Sequence, residues 1–412
     1  MVKWLKFSYA AILLFLLFLP TLRWVSLQDV DGFLYGYADK ISERPAGAIN
    51  GFFDKELQKW AEGYFNVHLG FREKLIRSFN EINFMLFREA PRLSLYSTSE
   101  NGLYSKMSID NLNYEIVNRK ELELRYRSEA DKLLILQRAL EQQGKYFVVI
   151  IASSKPYVYP QSLGNRYLIG GAVDIFNRAA RYGAVLEDVG VNVIDAGPLL
   201  REFVERTGID THPDSGVHWN YYAGCLVARR LVDGIRSRYP GMPALTCGDP
   251  EFADPHMVDV DGLKLLNIWT DGNLSRPTPY PSIVAAEQSS WLPSIVFIGD
   301  SFADQILYAL QQARIYARIV TSNYFRVRGV TIGGGQIKST HGQETEEVAV
   351  RNIFTEDIAA SDVVVLQMVD YNVFRWGYGV ADYLLGRPEF NSYRQAGSVS
   401  ESEASSQGSL KK

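Results

Sequence analysis

A serine that directly follows a run of apolar residues is the strongest chemical signal in the sequence. Residues 294–300 have the continuous apolar pattern of a buried strand, and Gly299-Asp300-Ser301 leads into a helical pattern from Phe302 to Arg314. A serine in this place lies near the N-terminus of a helix, where backbone N–H groups and the helix dipole stabilise an oxyanion. Asp and Ser are also good helix caps, so the tripeptide by itself favours a capping role.

A histidine in a second segment changes this balance. Residues 210–220 place acids and histidines together, immediately before a helical pattern that begins at Tyr221. A serine becomes a nucleophile when a histidine accepts its proton and an acid orients the histidine. His218 is followed by Trp219, whose large ring could hold the imidazole against the core. Since the chain has only five histidines, His218 is the predicted partner of Ser301.

Buried strands alternate with helices along the middle of the chain. Apolar runs typical of strands buried on both faces occur at residues 145–152, 191–195, 294–300 and 363–367, and helical patterns separate them. This alternation predicts an α/β fold with a mostly parallel sheet covered by helices on both faces. Chemistry in such sheets lies at the carboxyl ends of the strands. That rule selects residues 153–159, 195, 299–301 and 370–372.

The composition excludes several classes of protein. Among 412 residues, 43 Lys and Arg stand against 47 Asp and Glu, a net charge of −4, so no basic field attracts nucleic acid. Two cysteines cannot build a disulfide-dense scaffold or a four-cysteine zinc site. Cys225 and Cys247 could form a disulfide in an exported protein or remain buried thiols. The histidines show no metal-ligand spacing, so no metal is expected; they are His68, His212, His218, His256 and His341.

The N-terminus has the pattern of a secretory signal. A short positive head precedes an apolar run from Phe7 to Pro20, and extending that run from Trp4 to Val25 gives about 22 residues, enough to span a bilayer. No small-residue cleavage site follows, which favours an uncleaved signal anchor over residues 1–28 above a removed peptide or a buried cytoplasmic helix. Both secretory interpretations place the rest of the chain outside the cytoplasm.

The remaining chain divides into three predicted parts. Residues 29–110 are rich in aromatics and helix formers and predict a helical lead-in that packs on the core, and residues 111–390 carry the α/β pattern. Residues 240–290 resemble an elaborated loop, and Gly333-Gly334-Gly335 predicts a flexible one. The polar tail at 391–412 predicts disorder.

The order of these motifs resembles that of a known family. A strand ending in Gly-Asp-Ser-Phe, preceded by His218-Trp219 and a helix containing Tyr-Ala-Gly, is similar to the SGNH-hydrolase-like O-acetyltransferases of the alginate O-acetylation type (AlgJ/AlgX-like). In that family the Asp-x-His-Trp element precedes the Gly-Asp-Ser element, the reverse of ordinary SGNH esterases. The resemblance covers about residues 50 to 375. Its further motifs are Tyr64 with Phe71-Arg72, the turn at residues 101–104, and the Lys-Pro-Tyr-Val-Tyr-Pro segment at residues 155–160.

The resemblance implies catalytic roles for particular residues. Ser301 corresponds to the acetyl-accepting nucleophile and His218 to its general base. The family's acid stands two residues before the histidine, where this chain has Gly216, and Asp214 is the nearest substitute. Alternatively, Asp210 and His212 supply the acid and the base, although no tryptophan follows His212. A Ser-His dyad, or an acid from another loop, also remains open.

Four more residues are candidates for binding the oxyanion or the substrate. The backbone N–H of Ser301 would supply one oxyanion donor, and neighbouring loops would supply others. Asn323 and Tyr324 follow an apolar strand, Asn372 follows the last strand, and each could instead be an ordinary turn residue. Lys155 could orient an acidic sugar or an acetyl donor, or be a solvated loop lysine.

The resemblance also implies a function and a setting. It implies a three-layer SGNH-like α/β/α domain that moves an acetyl group through an acyl-enzyme on Ser301 onto hydroxyls of an exported polysaccharide. The site would face the periplasm at the inner membrane, held there by the N-terminal helix, with a multi-span membrane O-acyltransferase supplying the acetyl group. No cofactor is expected, because acetyl-CoA is cytoplasmic. The alternatives are a carbohydrate esterase with water as the acceptor, and a non-catalytic scaffold in a polysaccharide export complex.

Overall fold

The computed structural model describes residues 2–18, 33–36, 43–44, 54–68, 70–90, 94–98, 102–285, 291–333, 336–339 and 344–390. The predicted disordered tail at 391–412 and His341 lie outside the described residues, as do Gly334 and Gly335 of the predicted glycine loop. Residues 19–28 of the predicted signal anchor also lie outside them.

Eleven strands are present in the described residues. In chain order they are Leu95–Thr98 (β1), Gly102–Ser105 (β2), Tyr146–Ala152 (β3), Val193–Asp195 (β4), Leu245–Ala253 (β5), Thr278–Ala285 (β6), Ser294–Gly299 (β7), Arg318–Asn323 (β8), Val327–Gly333 (β9), Gln336–Ser339 (β10) and Val363–Val369 (β11). The four apolar runs form β3, β4, β7 and β11, so the prediction of strands there is confirmed. Strands β3, β7 and β11 are buried as predicted, whereas the three residues of β4 are only half-buried.

The α-helices of the described residues are Val2–Phe18 (α1), Glu56–His68 (α2), Arg72–Phe87 (α3), Lys106–Val117 (α4), Arg119–Gln142 (α5), Lys155–Val158 (α6), Gly164–Tyr167 (α7), Ile175–Arg178 (α8), Tyr182–Val189 (α9), Ala196–Thr207 (α10), Tyr221–Arg238 (α11), Asp261–Leu266 (α12), Ala303–Ala313 (α13), Glu346–Asn352 (α14) and Val380–Leu385 (α15). A π-helix at Ile353–Ile358 and a kinked helical segment at Asp370–Gly379 complete the main elements. None of the helices described here is long and apolar enough to cross a membrane.

The chain separates into two compact units. The first comprises Met1–Ser97 and Asp261–Ser275, and the second comprises Thr98–Val260 and Arg276–Lys412. Within the first unit, Asn80 of α3 donates a hydrogen bond to the carbonyl of Leu266 at 2.8 Å, and Glu81 accepts the backbone N–H of Trp269 at 2.9 Å. Segment 261–275 therefore belongs with α3, although the sequence predicts only an elaborated loop there.

The second unit is built on a seven-stranded sheet with the order β10-β9-β8-β7-β11-β3-β4. The five strands from β8 to β4 are parallel, whereas β9 and β10 are antiparallel additions at one edge. Parallel pairing brings the carboxyl ends of β3, β4, β7, β8 and β11 to the same edge of the sheet, where ligands bind in open α/β folds. The prediction of a mostly parallel sheet is confirmed.

A hydrophobic core lies on each face of this sheet. Residues alternate between the faces, as strand geometry requires, so that Val148 and Ile150 enter one core while Phe147 and Val149 enter the other. Helices α11 and α13 pack on the first face, and α5 and α15 pack on the second. The resulting helix–sheet–helix layering buries both faces of the central strands β3, β7 and β11, which is why these three strands are mainly apolar.

A disulfide joins Cys225 of α11 to Cys247 of β5, with Cα atoms 6.0 Å apart. Strand β5 pairs with β6 as an antiparallel hairpin, and both contact α11. The structure therefore decides between the two options that the sequence leaves open for these cysteines.

Candidate active site

A tight turn at the carboxyl end of β7 places Ser301. Strand β7 ends at Gly299, and α13 begins at Ala303, whose N–H donates to the carbonyl of Asp300 at 3.0 Å. A Cβ atom on Gly299 would lie 2.4 Å from the Oε1 atom of Gln367, so a larger residue would displace the amide oxygen that accepts the N–H of Asp300. Because the turn is so short, Ser301 is exposed just before the first turn of α13, where the helix dipole is positive.

The buried carboxylate of Asp300 holds this turn in place through hydrogen bonds. Asp300 is buried, and its two oxygens accept hydrogen bonds from five donors at 2.9 to 3.2 Å: the N–H groups of Phe302 and Val369 and the side chains of Gln367, Asn372 and Tyr378. A carboxylate bonded in this way has a structural role, and it ties β7 to β11 and to the segment after β11. Tyr378 reaches it from a left-handed backbone conformation with φ of 58°.

Ser301 and His218 lie within hydrogen-bond distance. The Nε2 atom of His218 is 2.7 Å from the Oγ atom of Ser301. The imidazole ring packs on Phe302, with ring centroids 4.5 Å apart. The structure thus brings together the two residues that the sequence pairs as nucleophile and base, although 83 positions separate them in the chain.

Trp219 connects the loop at residues 208–220, which carries His218, to the start of α13 through hydrogen bonds. Its ring is fully buried, and its Nε1–H donates to the carbonyl of Phe302 at 3.1 Å and to Oε1 of Gln305 at 3.2 Å. Gln305 donates in return to the Trp219 carbonyl at 3.1 Å. Phe302 and Gln305 follow Ser301 closely in the chain. Their hydrogen bonds to Trp219 therefore help to set the distance between His218 and Ser301.

Lys155 braces the same loop from the other side. Its side chain is buried, and its ammonium donates to the carbonyls of Leu103 at 2.9 Å, Pro213 at 2.6 Å and Gly216 at 3.1 Å. The ammonium also lies 5.2 Å from the ring centroid of Tyr104. The sequence offers Lys155 as a substrate-orienting or solvated lysine. The structure places it instead beneath the loop that leads to His218.

Replacing Lys155 with methionine is expected to lower both stability and activity. The change leaves buried carbonyls without their donor, which costs about 3 kcal/mol in the free energy of unfolding. The loop before His218 would then shift, so kcat should fall more than KM changes. Denaturant unfolding and ester-cleavage kinetics measure the two effects. Lys120→Met, at an exposed position on α5, is the control. Equal stability of the two variants would contradict the bracing role.

His212 is buried away from solvent with both ring nitrogens engaged. Its Nε2 atom lies 3.0 Å from the carbonyl of Ser153, and its Nδ1 atom lies 3.2 Å from Oγ1 of Thr211. Burial, followed by the positive charge of Lys155, lowers the pKa of His212 to about 3. A neutral ring that donates to one partner and accepts from the other suits a structural role. In this arrangement neither nitrogen is positioned to take a proton from Ser301.

Three further acids, Asp210, Asp214 and Asp304, occupy different surroundings. The carboxylate of Asp214 forms an ion pair with Arg276. Burial raises the pKa of Asp210, and a hydrogen bond from Tyr159 partly lowers it. Asp304, which the sequence reading missed, lies one turn after Ser301 on α13. Desolvation by the surrounding protein raises the pKa of Asp304, whereas the charge of His218 lowers it. The Gly-Asp-Ser-x-x-Asp spacing was the available signal for this residue.

The three predicted oxyanion candidates are placed differently. The N–H of Tyr324 donates to the Gly299 carbonyl at 2.9 Å, and the side chain of Asn372 donates to Asp300 at 3.2 Å. Both therefore support the turn that carries Ser301. Asn323, at the exposed end of β8, borders a cavity beside that turn. The catalytic and substrate-binding roles of these residues remain predictions.

Asp370 forms a buried carboxyl group at the end of β11. Its Oδ2 atom accepts the N–H of Ser154 at 2.7 Å and the hydroxyl of Ser154 at 2.9 Å, while its Oδ1 atom has no hydrogen-bond partner in the described residues. Burial raises the pKa of Asp370 to about 7, although the hydrogen bonds from Ser154 oppose the rise. This carboxyl group therefore titrates near neutral pH.

Replacing Asp370 with asparagine is expected to flatten the dependence of stability on pH. The raised pKa means that the folded chain keeps a proton between about pH 4 and pH 7 that the unfolded chain has lost, so stability falls as pH rises through this window. The full effect is about 4 kcal/mol or less. Denaturant unfolding of both proteins at pH 5 and pH 8 measures it, with Asp254→Asn at an exposed site as control. Parallel profiles would refute the assignment.

Comparison with known proteins yields structural neighbours. No protein-family model and no curated protein matches the chain. Solved structures that resemble it include the O-acetyltransferase domain of Pseudomonas putida AlgJ, with 16% identity and a TM-score of 0.43 over 70% of this chain and 99% of that one. Pseudomonas aeruginosa AlgX has 11% identity and a TM-score of 0.39, over 70% of this chain and 67% of that one.

A third neighbour is Bacillus cereus PatB1, with 10% identity and a TM-score of 0.36 over 68% of this chain and 96% of that one. AlgJ and AlgX are of the type that the sequence motifs resemble, so the same resemblance is found among solved structures. At TM-scores below 0.5 it carries no argument about chemistry, which has to come from the site itself.

Proposed function

We propose that this chain is a serine-dependent O-acetyltransferase that acetylates hydroxyl groups of an exported polysaccharide. The observation that carries the proposal is the 2.7 Å contact between His218 Nε2 and Ser301 Oγ, at an exposed turn immediately before a helix N-terminus. A serine in contact with an imidazole is an activated nucleophile, and the adjacent helix N-terminus favours the oxyanion that acyl transfer creates. The motif order of the sequence supports acetyl as the acyl group and a sugar hydroxyl as the acceptor.

The mechanism has two half-reactions. In the first, His218 takes the proton of Ser301 as Oγ attacks the acetyl carbonyl of the donor, and the leaving group departs with that proton, leaving acetyl-Ser301. In the second, His218 takes the proton of a sugar hydroxyl, whose oxygen attacks the acetyl carbon. The C–O bond to Ser301 then breaks, and Ser301 regains its proton from His218.

The proposal includes a setting at the periplasmic face of the inner membrane. The positive head and apolar run at the N-terminus support an anchor there. The disulfide between Cys225 and Cys247 supports an oxidising compartment, where such bonds persist. A membrane-bound O-acyltransferase is the proposed partner that delivers the acetyl group, because acetyl-CoA remains in the cytoplasm.

An acceptor experiment tests the proposal against the esterase alternative. The full chain is incubated with 4-nitrophenyl acetate, with and without a panel of oligosaccharides, and the products are analysed by mass spectrometry. We expect acetylated oligosaccharide and faster release of nitrophenol when the acceptor is present. Release of acetate alone at an unchanged rate would identify an esterase. No release in either condition would favour a non-catalytic scaffold.

A further inference from the structure

A cavity of about 380 Å³ lies beside the turn that carries Ser301. Gly299 precedes Ser301 by two positions and Ala303 follows it by two, and both line the cavity. Tyr221, the first residue of α11 and three positions after His218, also lines it. A molecule bound in this cavity would therefore contact residues that flank Ser301 and His218 in the chain, although neither of those two side chains lines the cavity itself. Its volume lies at the lower end of the range of small-molecule sites.

An aromatic wall forms one side of the cavity. The ring of Tyr308 on α13 is 36% exposed and packs edge-on against Tyr221, with centroids 4.7 Å apart. Met257, which has a left-handed backbone with φ of 52°, is 66% exposed and contacts the Tyr221 hydroxyl through its sulfur atom at 3.6 Å. The partly exposed ring of Tyr308, supported by the buried ring of Tyr221, offers an apolar face against which the C–H face of a sugar ring can pack.

The cavity is also lined by polar residues, and these carry no positive charge. Gln311, Thr321 and Asn323 supply amide and hydroxyl groups able to bond sugar hydroxyls. Among the described residues that line the cavity, none is lysine, arginine or histidine, and Asp304 is the one charged residue. A carboxylate ligand entering this cavity would meet the carboxylate of Asp304 and no cation among the lining residues, and because Asp304 is exposed the repulsion is modest and screened by salt.

We propose that this cavity is the acceptor subsite, and that it selects sugar units without a carboxylate over uronate units. The inference rests on the proposed function and deepens it by naming the class of acceptor. Aromatic packing and amide hydrogen bonds recognise the neutral sugar, and the carboxylate of Asp304 repels the anionic one. The charge of His218, which lowers the pKa of Asp304, supports the closeness of this acid to the reacting pair.

A binding experiment tests the inference without depending on catalysis. The full chain with Ser301→Ala is titrated calorimetrically with neutral tetrasaccharides of β-1,4- and α-1,4-linked glucose. It is then titrated with the same tetrasaccharides oxidised at C6 to uronates, so that each pair differs only in the carboxylate. At low salt we expect the neutral member to bind at least about threefold more tightly, with the difference shrinking as salt screens the charge. Equal or tighter uronate binding, or binding of neither, would overturn the inference.

Matched variants at Gln311 locate the effect in this cavity. Gln311→Lys and Gln311→Glu place opposite charges at one position of nearly constant size. The ratio of uronate to neutral affinity should be higher for the lysine variant than for the glutamate variant, by about fivefold at most. Identical ratios would show that the sugar binds elsewhere. Tyr308→Ala should weaken binding of the neutral sugar by about two- to tenfold if the ring packs on it.

Failure of the proposed function gives a different result from failure of this inference. If wild-type protein never forms acetyl-Ser301 but the Ser301→Ala variant still prefers neutral sugars, the transferase proposal fails and the cavity assignment stands. If acetyl-Ser301 forms but uronates bind best, the transferase proposal stands and the cavity assignment fails.

Discussion

Replacing Ser301 with alanine is expected to abolish formation of the acetyl-enzyme and to lower ester cleavage and acetyl transfer by at least about 10³-fold. The physical reason is that Oγ of Ser301 is the atom that carries the acetyl group between the two half-reactions. Without it, the helix N-terminus can still stabilise an oxyanion, but no covalent intermediate forms. Intact-mass analysis after incubation with an acetyl ester, followed by peptide mapping, measures the modification directly.

The matched control for this variant is Ser237→Ala. Ser237 is an exposed serine on α11, and its hydroxyl donates to the carbonyl of Gly234 at 2.7 Å. It should keep the acetyl adduct and full activity. The catalytic assignment of Ser301 would be refuted if the Ser301→Ala protein, shown to be folded, still became acetylated at the same rate or still restored O-acetylation in cells that lack the protein.

The second large effect is expected for His218→Gln, which should lower kcat/KM by about 10³-fold while leaving the free energy of unfolding within about 1 kcal/mol. Glutamine keeps a polar side chain at this half-buried position but cannot accept the Ser301 proton. The remaining activity should rise with pH as hydroxide replaces the lost base. Stopped-flow measurement of nitrophenol release across a pH series records this change.

His212→Gln is the matched control because it makes the same substitution in the same loop, six residues before His218. Since His212 bonds Ser153 and Thr211 inside the protein, its replacement should cost about 1–3 kcal/mol of stability without changing the form of the pH–rate profile. The opposite pattern, with His212→Gln stable but inactive and His218→Gln active, would transfer the role of base to His212.

The main strands were predictable because burial on both faces leaves a continuous apolar run in the sequence. Strands β3, β7 and β11 have such runs, and their helices have clear periodicity. The antiparallel strands β9 and β10 lack this signal, since their sequences mix apolar residues with polar residues and glycine. Segment 261–275 was also missed, because its place beside α3 depends on hydrogen bonds that Asn80 donates and Glu81 accepts, with partners far along the chain.

Sequence spacing does not identify which acid lies beside the Ser301–His218 pair. Counting back from His218 gives Asp214, but its carboxylate pairs with Arg276, 62 positions away. Asp304 follows Ser301 by three positions, so helical geometry places it one turn further along α13. In the sequence, Asp214 and Asp304 lie at similar distances from His218 and Ser301, so spacing does not favour either acid. Only the surrounding chain decides which carboxylate faces the cavity beside Ser301 and which is neutralised by an arginine.

By itself, the sequence determined the α/β fold class and the pairing of Ser301 with His218, since hydrophobic periodicity and the short motifs Gly-Asp-Ser and His-Trp are local properties. The tertiary structure decided the burial of Lys155 beneath the His218 loop, the five hydrogen bonds to Asp300 and the disulfide between Cys225 and Cys247. It also decided the lack of cations among the described residues of the cavity wall. These features depend on residues distant in the chain that meet only after folding, and the free energy of a buried charge depends on those neighbours.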